Sequence, residues 1–173
     1  MSETILPADD PKRELIIRDS ENPKVPHIGL VGDTYTILLS GTNTEGRFCV
    51  IDMHIPPGGG PGPHRHDFEE TFVVLSGQVE VTFRGRKMVV HSGDTVNIPA
   101  NAPHQFRNTA SEPARLLCIC SPSGQEEFFE RVGVRVATRT TPPPRLAAAQ
   151  QEAWLKRVTE LAPTYRTELL SHA

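Results

Sequence analysis

From Thr34 to Ser121 the chain alternates apolar and polar positions in short runs, and each run stops at turn chemistry. Alternation with a period of two turns one face of an extended strand toward a core. The runs Thr34–Ser40, Arg47–Ile55, Glu69–Leu75, Gln78–Phe83, Lys87–His91, Thr95–Ile98, His104–Asn108 and Arg115–Ser121 therefore predict eight short strands. Gly41–Gly46 reads as a polar connector, Arg84-Gly85-Arg86 as a hairpin and Ser92-Gly93-Asp94 as a turn. The second strand stops at Pro56-Pro57, and Gly58–Pro63 is too dense in glycine and proline for a helix or a ladder. Short strands at regular spacing imply an all-β sandwich or barrel.

After Pro122 the period changes. Ser123 and Glu126 have capping-box spacing, which predicts a short helix from about Gly124 to Arg131 that buries Phe128 or Phe129. Thr140–Pro144 forbids helix and reads as a stiff linker. From Arg145 to about Leu161, good helix formers place Trp154, Leu155, Val158, Leu161 and Ala162 on one stripe. That stripe is a docking face for the barrel, for a second subunit or for a pocket mouth. Three segments result: a leader over residues 1–33 with room for an edge strand, a barrel over 34–121, and a helical extension over 122–173 with its Pro-rich linker at 140–144.

Composition narrows the function classes. A formal net charge of −3 and the lack of a long Lys/Arg run argue against a nucleic-acid surface. No apolar stretch approaches the roughly 20 residues needed to span a bilayer. Residues 1–18 are polar and do not read as a secretory signal, so a cytoplasmic location is expected. The cysteine count of 3 is odd, which argues against a disulfide framework. Strand Cα atoms at i and i+2 lie about 6.5 Å apart, near the disulfide limit, so Cys118 and Cys120 are expected as buried thiols along with Cys49.

The chemistry lies in two segments. One runs Gly58-x5-His64-x-His66-x3-Glu70-x6-Gly77, and the other Gly93-x5-Pro99…His104-x3-Asn108. His64, His66 and Glu70 differ by even steps and share a strand face, with Phe72 and Val74 continuing it inward. His104, Phe106 and Asn108 share another. Two strands facing each other across a barrel would bring three imidazoles and one carboxylate together. Such a mixed N/O set suits one divalent ion (Fe, Mn, Ni, Co or Zn) and leaves positions open for a chelating substrate. Without a thiolate in the set, structural zinc of the finger type is disfavoured. Alternation turns Glu69 off that face and selects Glu70. Phe72, Val74 and Phe106 are candidates for an apolar pocket wall. His27, His54, His91 and His172 are expected in solvent or in local hydrogen bonds.

The two segments resemble the paired motifs of the cupin superfamily. The first is matched in full at Gly58, His64, His66, Glu70 and Gly77; the second is matched at Gly93, Pro99, His104 and Asn108, with Asn101 where glycine is usual. Asparagine tolerates positive φ, so the turn is expected to survive. The resemblance spans residues 34–121 and implies a double-sheet, jelly-roll-like β-barrel holding a metal through His64, His66, Glu70 and His104. It also implies a homodimer, as in compact microbial members. The tail is similar to that of small quercetin-dioxygenase-like cupins.

The leading expectation is a dioxygenase-like oxidoreductase acting on a small oxygenated or aromatic compound, with Glu70 as ligand, base or both. A lyase, isomerase or decarboxylase using the metal as Lewis acid would need a further acid or base, and Tyr35 and Tyr165 are the only tyrosines. A non-catalytic ligand-binding protein is the third class.

Overall fold

In the computed structural model, residues 6–171 are described. Among the described residues, twelve strands form two antiparallel sheets. The larger follows the order β11-β1-β2-β3-β10-β5-β8 and the smaller β12-β4-β9-β6-β7. The strands are β1 (His27–Leu30), β2 (Asp33–Leu39), β3 (Cys49–Ile55), β4 (His64–His66), β5 (Glu69–Ser76) and β6 (Gln78–Phe83). They continue with β7 (Arg86–His91), β8 (Thr95–Ile98), β9 (His104–Arg107), β10 (Ala114–Ser121), β11 (Val134–Arg135) and β12 (Thr167–Leu169). The expected all-β, cupin-type double-sheet barrel with a C-terminal helical extension is the observed fold.

Alternation builds the core as the sequence implies. Ile51, Met53, Phe72, Val74, Leu116 and Cys118 point inward from the larger sheet and are buried, as are Val79, Val81 and Phe106 from the smaller. Phe72 meets Phe106 edge-on across the two sheets, with ring centroids 5.4 Å apart. The three cysteines are free and buried.

Several elements depart from the sequence expectations. The connector after β2 contains a helical turn, α1 (Gly41–Thr44), because the Asn43 side chain accepts the Ser40 backbone N–H (3.0 Å). The leader contributes β1, which is paired on both sides, with β2 and with β11, and so is not an edge. Helix α2 (Gln125–Val132) begins where expected, but its N-cap is Gly124 and not Ser123. Glu126 makes the cap by accepting from the backbone N–H of Gly124 (2.8 Å) and of Gly41 (2.6 Å).

Helix α3 (Ala148–Leu161) and a 3₁₀ turn (Ala162–Tyr165) follow the proline linker. The apolar stripe of α3 docks on its own chain: Trp154 Nε1 donates to the Val132 carbonyl (2.7 Å), and Val158 and Ala162 are buried. No helix among the described residues is long and apolar enough to cross a membrane.

Candidate metal centre

Strand β4 places His64 and His66 on the inner face of the smaller sheet, and β9 lies beside it with His104 in register with His64. The two histidine strands are therefore neighbours in one sheet, not opposed across the barrel as the sequence reading had them. The opposing strand is β5, which brings Glu70 from the larger sheet. Glu69 points outward, where its carboxylate accepts from Asn97 Nδ2 (2.8 Å) and the Ala100 amide (3.1 Å).

The local chain explains the placement. Gly58 N–H donates to the Asn108 carbonyl (2.8 Å) and Asn108 N–H to the Gly59 carbonyl (2.9 Å), so the glycine loop is stitched to the end of β9. A side chain at Gly60 (φ 122°) would collide with the Phe106 carbonyl. Asn108 uses its side-chain amide to tie Ile55 and Glu112 (2.9 and 2.8 Å), a structural role. Asn101 takes φ 68° and donates its amide to the His66 carbonyl (2.6 Å), so the expected left-handed turn is present and holds β4 in place.

His64, His66, Glu70 and His104 are buried, and their donor atoms lie within 4.8 Å of one another. Glu70 Oε2 sits 3.1 Å from His66 Nε2 and 3.0 Å from His104 Nε2. Each ring's Nδ1 faces a carbonyl: His64 that of Gly62 (2.8 Å), His66 that of Phe68 (3.0 Å) and His104 that of Ala102 (2.9 Å). A carbonyl only accepts, so every Nδ1 carries its proton and a neutral ring turns an Nε2 lone pair inward. On His66 and His104 that lone pair would meet a carboxylate oxygen that also only accepts. The contacts need protons or a cation among the four groups, and a single divalent cation would meet all of these lone pairs at once. The donor set thus fits a divalent metal.

The same groups shift one another's protonation. Burial would push the Glu70 carboxyl up, but hydrogen bonds and charge from His104 and His66 hold it well below the usual carboxylate range. Burial lowers His104 too, yet pairing with Glu70 raises it overall. Burial, then the charge of His104, brings His64 down to about 4. The second oxygen of Glu70 faces thiols: Cys118 Sγ donates to Oε1 (3.4 Å) and Cys120 Sγ lies 3.6 Å from Cys118 Sγ.

His64 and Glu70 line a cavity of about 410 Å³. Its walls are mostly apolar and include Leu30, Met53, Phe106, Phe128, Trp154 and Val158. Of the three expected wall residues, Phe106 lines this cavity; Phe72 and Val74 are buried in the core and do not. Sequence reasoning missed Tyr35 and Gln125, which also line it. Tyr35 OH donates to Asp33 Oδ2 (2.9 Å), and burial raises the Asp33 carboxyl to about 7 against hydrogen bonds from Tyr35 and the Gly60 amide. Strand alternation, with Asp33 and Tyr35 on one face, was the available signal.

The other histidines are not brought to the centre. His27 is buried, with Nδ1 against Thr36 Oγ1 (2.8 Å). His54 is half-buried and His91 exposed; His172 lies outside the described residues.

A family profile for the cupin domain matches residues 51–120. An uncharacterized protein of Aquifex aeolicus is 45% identical over 108 residues, covering 62% of this chain and 84% of its own length. The chain belongs to the cupin family. Quercetin 2,3-dioxygenase of Bacillus subtilis is 31% identical over 106 residues, 60% of this cupin. The match spans only 31% of that enzyme's length. Among solved structures, the polyketide cyclase RemF of Streptomyces resistomycificus superposes with a TM-score of 0.54 at 19% identity, over 79% of this cupin and 92% of that chain. That likeness shows the fold alone.

Proposed function

We propose that this cupin is a metal-dependent, dioxygenase-like oxidoreductase acting on a small, largely apolar compound that chelates through an enol or phenol oxygen. One observation carries the reading: the His64/His66/His104/Glu70 donor cluster adjoins an apolar cavity, which two of its members, His64 and Glu70, line. The similarity to a quercetin 2,3-dioxygenase supports it. A divalent metal bound there would supply Lewis acidity and, if redox-active, a route for electrons to dioxygen.

The chain's own groups have separable tasks. His64, His66 and His104 hold the metal, with their Nδ1 protons fixed on backbone carbonyls so that the rings cannot rotate away. Glu70 is ligand and base: a buried carboxylate facing the cavity can take the proton of an incoming hydroxyl. Phe106 and Phe128 exclude water and receive the ring of the substrate. Oxygen uptake by protein reconstituted with Fe(II), Mn(II), Ni(II) or Co(II), across a panel of enols and phenols, tests this. No consumption with any combination sinks the reading.

A second reading has one observation in its favour. Tyr35, backed by Asp33, is a further acid/base group in the same cavity, as a non-oxidative lyase or isomerase would need. Turnover under anaerobic conditions that Tyr35→Phe abolishes would select it.

A further inference from the structure

Helix α2 carries its apolar residues Phe128, Phe129 and Val132 on one stripe that faces the barrel. Helical spacing adds Gln125 to that stripe, at i with i+3, i+4 and i+7. Gln125 is only 4% exposed and lines the cavity, yet its buried Oε1 has no hydrogen-bond partner. A buried polar atom left without a partner is destabilising, and an apolar residue there would complete the stripe at no such cost. Groups that break a local packing rule in this way collect where a ligand supplies the missing partner.

The helix end that carries Gln125 is also held in place. Glu126, the next residue, clamps the start of α2 through the Gly124 and Gly41 amides, and Phe129 packs at a tilt against Tyr35 with ring centroids 4.7 Å apart. Gln125 therefore presents its carboxamide on a fixed helix end. Tyr35 OH donates to Asp33, which leaves its oxygen lone pairs for an incoming donor as well. A carboxamide can also be turned to exchange its oxygen and nitrogen, so it can meet either atom of a ligand hydroxyl.

We propose that Gln125 is a specificity-determining residue, whose carboxamide binds a hydroxyl on the apolar body of the substrate, remote from the oxygen held at the His/Glu cluster. The substrate class is then a hydroxylated aromatic with two polar points, one for the metal and one for Gln125. The inference rests on the proposed use of this cavity as the substrate site.

The test uses the full chain loaded with Zn(II), which binds chelating oxygens without turning over. Probes are 3-hydroxyflavone, which has the chelating hydroxyl alone, and its relatives with one added hydroxyl on either outer ring. Quenching of Trp154, the single tryptophan and a cavity residue, reports binding. Wild type is expected to bind one added-hydroxyl probe about 10-fold or more tightly than 3-hydroxyflavone. In Gln125→Leu and Gln125→Met that ratio should fall to about 1 while 3-hydroxyflavone binds as before, and both variants should melt at a higher temperature. Two variants keep the result readable if one packs badly. An unchanged ratio in both variants, no preference in wild type, or no binding by any probe overturns the inference. Failure of oxygen uptake with redox metals would sink the oxidoreductase reading alone and leave this ratio untouched.

Discussion

Leu169 lies directly opposite His64 in the β12–β4 ladder, and Thr167 opposite His66. The extension is thus a strand of the sheet that carries the histidines. Leu170 N–H continues the attachment to the Pro63 carbonyl (2.9 Å), and Tyr165 packs on Phe128 with ring centroids 5.4 Å apart. The same extension lines the cavity through Trp154, Leu155 and Val158. What the helical stripe docks on is its own chain, where it forms part of the cavity wall.

Ending the chain after Pro163 should therefore expose β4 as a sheet edge. Amide exchange at residues 64–66 is expected to speed up, while the β6–β7 hairpin keeps its protection. Metal affinity should drop by about tenfold or more, as when groups that orient ligands are lost. Equal protection of β4 in the shortened chain would show that β12 does not hold it.

Asn101 stands at φ 68° with its amide on the His66 carbonyl. A left-handed residue other than glycine or asparagine costs about 1–2 kcal/mol. Asn101→Ala should lose about that much stability in urea unfolding, and Asn101→Gly should be neutral or better. Equal midpoints for the two variants would count against strain at this turn.

The donor cluster was legible because alternation acts within each strand: it puts His64 and His66 on one face of β4 and turns Glu69 outward on β5. Glu70, however, reaches the cluster from the opposing sheet and not from one shared strand face as expected. Asn101 was legible for a similar reason, since one residue's φ preference decides it. Which strands face one another was not. The neighbourhood of β4 and β9, and the pairing of β12 with β4, depend on contacts between residues far apart in the chain. Alternation also tells the face of a side chain but not its depth. Phe72, Val74 and Phe106 all point inward, yet only Phe106 reaches the cavity, because helices α2 and α3 decide where the open space lies. Gln125 was readable in hindsight as one polar member of an apolar stripe.

Asp33 makes stability depend on pH in an unusual direction. Its carboxyl is raised from 3.8 to about 7 by burial. A raised carboxyl stabilises the fold fully below its unfolded value and loses that contribution as pH climbs to the folded value. The gap corresponds to on the order of 4 kcal/mol. Between pH 4 and 7 wild type should lose stability relative to Asp33→Asn, which keeps a side-chain oxygen for Tyr35 and Gly60 but cannot ionise. Parallel stability curves for the two proteins across that range would refute the assignment.

Protons and metal should compete for the Nε2 atoms around Glu70. In metal-free protein the Glu70 carboxyl is held below its ordinary 4.5, so its pairing stabilises above that pH and is lost on acidification. His104 is raised above its ordinary 6.5, so its share is complete below that pH and is lost as pH rises through the raised value. The pair therefore supports the metal-free fold best between about 4.5 and 6.5. A bound divalent ion replaces the ring proton, so the alkaline loss should vanish in metal-loaded protein. Metal affinity should rise with pH, and binding near pH 7 should release protons, measured by calorimetry in buffers of different ionisation enthalpy. Glu70→Gln removes the negative charge from the cluster and should weaken binding by at least about 10–100-fold. Affinity that is flat with pH, with no proton release, would mean that the metal does not bind among these rings.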